Sequence, residues 1–415
     1  MEITEFKERP NTHQTHFEDL VLLGSDGLGE LNDKIEKFMT ELSGKDTGLN
    51  TTTKIDGSPA VVCFSKFPGY PDNSICLKSF ITSNKNCLSS SEEIQAKYGD
   101  RPDMAEKLLY CLQLAKCIPE NEAWQGDCLY TKGDLKEVEI HGKDYLTFHP
   151  NKIIYAFSED NPTYNTIKNS DFGICFHTIY KPAAEGKKTQ TFRVDAKRLN
   201  NVPENIYVMS PALNKSTNKA DYNIDEVLGQ YDELKKIESQ LLSNSDYEDL
   251  CDNSVFMSYW NTFENANLSD KRAVNINVDT FFDELVDYIK GKQQAAYDKK
   301  MSTLKTDKGK QKATYQFNAD VIEMEDILQT NKEVIILLVK ALNLAANIKM
   351  NLWNGFKKAD QGYNTFYKSK SKGYIPADME GAAMSDSEGN IVKIVDRSTF
   401  SFANRSDDII GGWER

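Results

Sequence analysis

Lys54-Ile55-Asp56-Gly57 closes a β-prone threonine run, Thr51 to Thr53, and leads across an Asp-Gly turn into the apolar stretch Ala60 to Phe64. A lysine at such a strand-to-strand corner suits a nucleophile beside a phosphate. Gly57 lets a ligand approach the backbone closely, and Asp56, two residues on, shares the lysine's face of an extended chain. A free lysine has a pKa near 10.4, so only about one in a few thousand is a neutral amine at pH 7, and the neighbours must supply the rest. A second residue of chemical interest is Asp127, in the middle of Ala123-Trp124-Gln125-Gly126-Asp127-Cys128-Leu129-Tyr130-Thr131. That stretch has the apolar and aromatic content of a buried strand. A carboxylate there is costly unless it is paired, hydrogen-bonded or holding a metal or ligand. The alternative is a structural aspartate in a strand-edge hydrogen bond.

Strand signals surround both residues. Ser74 to Ile81 reads as a strand carrying Lys78, Tyr145 to Tyr155 contains Thr147-Phe148-His149-Pro150-Asn151, and Asp171 to Tyr180 alternates as a core strand. Tyr374 to Met384 and Gly389 to Arg397 read as a hairpin turning at Ser385 to Asn390, which can aim Glu380 and Lys393 at one site. Helical spacing marks Phe17 to Leu42, Met104 to Ile118, Ile224 to Leu242, Val278 to Ile289 and Asp320 to Phe356. The Lys290 to Lys312 run reads as a polar loop or exposed helix. This pattern predicts a helical preface over 1–50 and a core over 51–215. A helical domain inserted at a loop follows over 216–372, and the core's final hairpin and tail over 373–415.

The net charge of −13 is unevenly spread. Asp221 to Asp287 holds sixteen acids against four bases, whereas Lys290 to Lys312 holds eight lysines against two aspartates. The second segment can meet a polyanion, although solvated helix faces read the same way. The eight cysteines lack paired metal-ligand spacing, which argues against structural zinc and for a reduced, cytoplasmic protein. Met1 to Pro10 has no apolar core of a signal peptide, and Val334 to Val339 is far too short to span a membrane.

The Lys-x-Asp-Gly of Lys54 to Gly57 resembles the first motif of the covalent nucleotidyltransferases: ATP-dependent DNA ligases, RNA ligases and mRNA capping enzymes. Lys78, Asp127, Phe176, Glu380 and Lys393 follow in that superfamily's order. The resemblance implies an acid on a strand, here Asp127, contacting ribose or metal, and an aromatic, here Phe176, stacking on the adenine. It departs at Lys78, where arginine is more usual, at Asp127 for glutamate, at His177 for aspartate and at Val395 for a second lysine. Only eighteen residues follow Arg397, too few for a C-terminal OB-fold. The blocks Thr15 to Asp19, Thr53 to Val61, Gln125 to Lys132, Thr147 to Ala156 and Phe176 to Tyr180 are also similar to those of tailed-phage proteins that carry a ligase-like domain. That would place the chain in a host cytoplasm.

The resemblance thus implies an α+β fold, a ligase-type nucleotidyltransferase domain of antiparallel sheets with a large helical insertion. Lys54 would attack the α-phosphate of ATP to give lysine-AMP, with Lys393 and Lys78 lowering its pKa and neutralising developing charge. Nucleotide binding would fall to Lys54, Asp56, Gly57, Lys78, Asp127, Phe176, Glu380 and Lys393, and Mg²⁺ to Asp127 and Glu380. The expected activity is sealing of a 5′-phosphate to a 3′-hydroxyl, in RNA rather than DNA, with Lys290 to Lys312 tracking the backbone and no membrane partner. The alternatives are transfer of a nucleotide, ATP- or GTP-derived, to another acceptor, and a degenerate ligase fold that binds nucleic acid without turnover.

Overall fold

Period-two stretches become strands and period-3.6 stretches become helices, with one unit of this α+β chain mainly helical and the other rich in strands. The computed structural model describes residues 15–45, 47–77, 86–183, 188–211, 223–269, 277–357, 362–385, 391–397 and 403–412. One unit joins Met1–Thr47, Lys219–Gly355 and Asp396–Phe402, and the other joins Gly48–Asn218, Phe356–Val395 and Ala403–Arg415.

The second unit is built on curled antiparallel sheets. Ala123–Thr131 lies between Ala60–Phe64 and Phe172–Pro182, with Ser74–Cys76 and Cys87–Leu88 beyond Ala60–Phe64. The helices Ser91–Tyr98 and Pro102–Ala115 cover one face of this sheet. Ser90 caps the first by accepting from the Glu93 amide at 3.2 Å, and Pro102 opens the second. Ile94, Leu108, Cys111 and Leu114 there bury against Val61, Trp124, Ile174 and Phe176. A second sheet orders Gly373–Pro376, Asn364–Ser369, Ile153–Phe157, Lys143–Phe148 and Lys136–Ile140, with Ile409–Ile410 beside Asn364–Ser369. Its Phe148, Tyr155 and Phe157 meet Leu129, Tyr130 and Cys175 in a core between the two sheets. A third group pairs Asn50–Thr53 with Gly381–Ser385, and that strand with Ile391–Val395.

The first unit is helical: Gly24–Leu42, Ile224–Leu242, Asp246–Asp252, Ser254–Ser269, Val278–Thr303, Asp307–Thr330 and Lys332–Lys357. Buried within it is a charge cluster. Arg397 Nη1 reaches Asp19 Oδ1 at 3.0 Å and Glu264 Oε1 at 2.8 Å, while Lys349 Nζ donates to both Glu18 oxygens at 2.8 Å. The block Thr15 to Asp19 thus contributes two carboxylates to internal ion pairing.

Several expectations change. The preface belongs to the same unit as the inserted helices, because its apolar stripe at Phe17, Leu28, Leu31 and Phe38 is buried. The insertion ends before 364, where strand pairing resumes. Lys290 to Lys312 spans the end of one helix and the start of the next. Thr306 caps the second by accepting from the Gly309 amide at 3.2 Å, Tyr297 stacks on Phe317 at 4.4 Å, and all eight lysines are exposed. The expected set of eight reduced cysteines is also corrected. Cys76 and Cys87 are joined in a disulfide, because the register of their short strands sets them opposite each other. Among the described residues no helix is long and apolar enough to cross a membrane.

Candidate active site

Lys54 follows directly from the strand Asn50–Thr53, and its amide donates to Gly381 O at 2.8 Å, extending the pairing of that strand with Gly381–Ser385. The next strand, Ala60–Phe64, belongs to another sheet, so the corner joins two sheets. Two bonds fix its far end: Ser58 N to Cys128 O at 2.9 Å and Cys128 N to Pro59 O at 3.1 Å, with the Ser58–Pro59 peptide cis. Gly57 is required by this approach, since a Cβ there would lie 2.2 Å from Cys128 O.

The corner places three carboxyl groups around one ammonium. Lys54 Nζ donates to Asp56 Oδ1 at 2.6 Å and to Glu380 Oε1, and Glu380 is nearly inaccessible with its second oxygen, Oε2, unpartnered. Asp127 stands opposite Ala60 and Cys175 in the neighbouring ladders, and His177 Nε2 lies 3.6 Å from its Oδ2. Burial opposes the Lys54 charge, but Glu380 and Asp56 outweigh it and raise the pKa. Burial raises Asp56 too, yet Lys54 and a hydrogen bond from Glu380 bring it below the usual range. Glu380 goes well up through burial and the neighbouring Asp56 charge, against the pull of Lys54. Asp127 is pushed to about 8 by burial and Asp56, and His177 down to about 4 by burial and by Lys54, with Asp56 opposing. At neutral pH the cluster therefore holds an ammonium at Lys54, a carboxylate at Asp56 and a neutral imidazole at His177. The expected depression of the Lys54 pKa is thus reversed, because the charged groups that act on it most strongly, Glu380 and Asp56, are acids.

Lys54, Asp56, Gly57, Asp127 and Glu380 come together, with Glu380 just before its strand rather than within it. Lys393 is opposite Ala383, which is opposite Thr52, so alternation puts Lys393 on the same sheet face as Lys54, two strands across. Lys78 lies outside the described residues. Phe176 is a correction. Its ring is fully buried in the core under the helices, edge-on to Trp124 at 5.6 Å, and cannot receive a base. The neighbouring His177 projects to the Asp127 side, a role that the sequence signals only as a departure from the superfamily's pattern. Among the described residues no group of three or more His, Cys, Asp or Glu side chains is set to hold a metal. Mg²⁺ commonly takes only one or two carboxylates and fills its shell with water and phosphate oxygens, which the orphaned Oε2 of Glu380 fits.

The raised Asp127 pKa has a consequence for stability. The folded chain keeps a proton there up to about pH 8, whereas the unfolded chain releases it near 3.8. Between those values the unfolded state binds fewer protons, so this residue makes stability fall as pH rises. Asp127→Asn should remove that dependence. Its melting temperature relative to wild type should climb from pH 5 to pH 8, and a constant difference would show that Asp127 is ionised in the folded chain.

A model of a family of unknown function, DUF6267, matches residues 11–407, and the chain belongs to that family. No curated protein and no solved structure matches it.

Proposed function

We propose that this family member is a covalent nucleotidyltransferase of the ligase superfamily. In it Lys54 takes a nucleoside monophosphate from ATP and passes it to the 5′-phosphate of a polynucleotide, RNA in preference to DNA, for sealing to a 3′-hydroxyl. The observation that carries the reading is the Lys-x-Asp-Gly corner with its lysine clasped by Asp56 and a buried Glu380. In the reaction Lys54 Nζ loses a proton and forms a bond to the α-phosphorus, the bond to the β-phosphate oxygen breaks, and pyrophosphate leaves. Asp56, ionised and 2.6 Å away, is the base for that proton, since burial holds the pKa of the closer Glu380 well up. Mg²⁺, bound with the phosphates, would supply positive charge against Asp56 and Glu380. That would loosen their hold on the ammonium and so lower the Lys54 pKa. Lys393, on the same sheet face, is placed to steady phosphate charge.

The test is self-labelling. Protein incubated with Mg²⁺ and α-labelled ATP or GTP should gain one nucleoside monophosphate by intact mass, held through an acid-labile bond. The same clasp favours a second reading, a chain that binds nucleotide or nucleic acid without turnover, because a lysine held as an ammonium is no nucleophile. No label on protein shown to be free of preloaded AMP would select it.

The exposed lysines of the helix pair supply the polynucleotide contact in this proposal. Reversing charge at Lys299, Lys300, Lys308 and Lys310 should weaken RNA binding and flatten its dependence on salt, by roughly 0.7 in log–log slope for each phosphate that the protein ceases to neutralise. An unchanged slope would remove the helices from the reading.

A further inference from the structure

The stretch Thr147-Phe148-His149-Pro150-Asn151 has no part in the Lys54 chemistry, yet it borders a cavity of about 360 Å³ within the strand-rich unit. That volume falls within the span of small-molecule sites, roughly 300–1,000 Å³. Val138, Ile154 and Tyr374 give the cavity an apolar wall. They belong to the cluster of Ile140, Tyr145 and Phe366, distinct from the core between the two sheets, from which only Phe148 reaches the lining.

Two lysines outnumber one acid in its lining. Strands Lys143–Phe148 and Ile153–Phe157 form a hairpin whose turn carries His149 and Lys152, and the strands bearing Lys136 and Lys368 flank it on either side. Lys136 and Lys368 both line the cavity, both are exposed, and neither makes an ion pair among the described residues. Asp134 also lines it, but its Oδ2 already accepts from Thr131 N at 2.9 Å and Thr131 Oγ1 at 3.3 Å. His149 reads the resulting field. Its pKa is pushed down to about 4, first by burial and then by Lys368, Lys152 and Lys136, against a hydrogen bond to the Lys152 backbone. The tail closes one side: Gly412 N donates to Asn151 O at 2.7 Å, and a Cβ on Gly412 would lie 1.7 Å from His149 O.

We propose that this cavity is a nucleotide-phosphate site, taking a planar base against Tyr374 and the apolar wall and a phosphomonoester against Lys136 and Lys368. The phosphate can come from a free mononucleotide or from the 5′ end of a polynucleotide. The site stands apart from Lys54 and does not require its reaction.

The experiment uses the full chain and three probes: a short labelled RNA with a 5′-phosphate, the same RNA with a 5′-hydroxyl, and AMP as competitor. The double variant Lys136→Glu, Lys368→Glu is compared with wild type, its fold checked by circular dichroism and melting. Wild type should bind the phosphorylated RNA about tenfold more tightly than the hydroxyl form, and the double variant should lose that preference. Displacement by AMP with no preference between the two RNAs, lost in the variant, would place a mononucleotide there instead and still support the site. No preference and no displacement, or a variant that binds all three probes as wild type does, overturns it. A wild type that prefers the 5′-phosphate yet never self-labels would sink the transferase reading and leave this site standing.

Discussion

With Mg²⁺ and α-labelled ATP, wild-type protein should carry label through denaturing electrophoresis, whereas Lys54→Ala and Lys54→Arg should carry none, a loss of at least about a thousandfold. The arginine variant makes this decisive. A guanidinium preserves the positive charge between Asp56 and Glu380 and can pair with both carboxyls, so the clasp and the fold persist. It is, however, never neutral in the accessible pH range and cannot attack phosphorus. The pH profile adds a signature. Lys54 is held above its ordinary pKa in the free protein, so even where bound Mg²⁺ eases it back toward the ordinary value of about 10.4 the neutral amine grows about tenfold per pH unit, and the labelling rate should climb from pH 7 to 9 without a plateau. Equal label on wild type and Lys54→Ala would show that another residue is modified.

Arg397→Ala should destabilise the helical unit by about 3–5 kcal/mol, the usual cost of removing one partner from a buried ion pair. Arg397 is nearly buried, and its departure leaves Asp19 and Glu264 without their 3.0 and 2.8 Å cation. Both carboxyls already sit above their ordinary pKa, chiefly through burial, with Arg397 opposing the rise. Without it they should rise further. A raised carboxyl pKa favours folding at low pH and loses that advantage as pH rises, so the defect should be smaller at pH 5 than at pH 8. Chemical denaturation at the two pH values measures this. A shift under about 1 kcal/mol at both would mean that the cluster is solvated enough to be energetically neutral.

The Lys54 corner is legible in the sequence because its signals are local: a threonine run, an Asp-Gly turn and a lysine two residues from a carboxylate. Asp127 is legible for the same reason, as an acid inside an apolar strand. Phe176 is not, because alternation alone does not say which face looks inward, and a ladder irregularity between Phe176 and Thr178 breaks the simple count. The electrostatics of Lys54 escape a sequence reading because they depend on Glu380, whose approach no local pattern reveals. The lysine run reads as a polar loop as easily as an exposed helix, yet lysine, alanine and glutamine are good helix formers, and the aromatic contact of Tyr297 with Phe317 pairs the two helices. The bridging of Cys76 to Cys87 rests on strand register, which spacing does not encode.

The clasp on Lys54 also sets an order of events during synthesis. Lys54 and Glu380 are 326 residues apart in the chain, and all the inserted helices are translated between them. A ribosome that has made the lysine, its aspartate and the strand of Asp127 has still made no complete site. On the proposed reading the growing polypeptide would stay chemically silent until Glu380 emerges, and a message cut short between Asp127 and Glu380 would yield a product with Lys54 but without its buried partner.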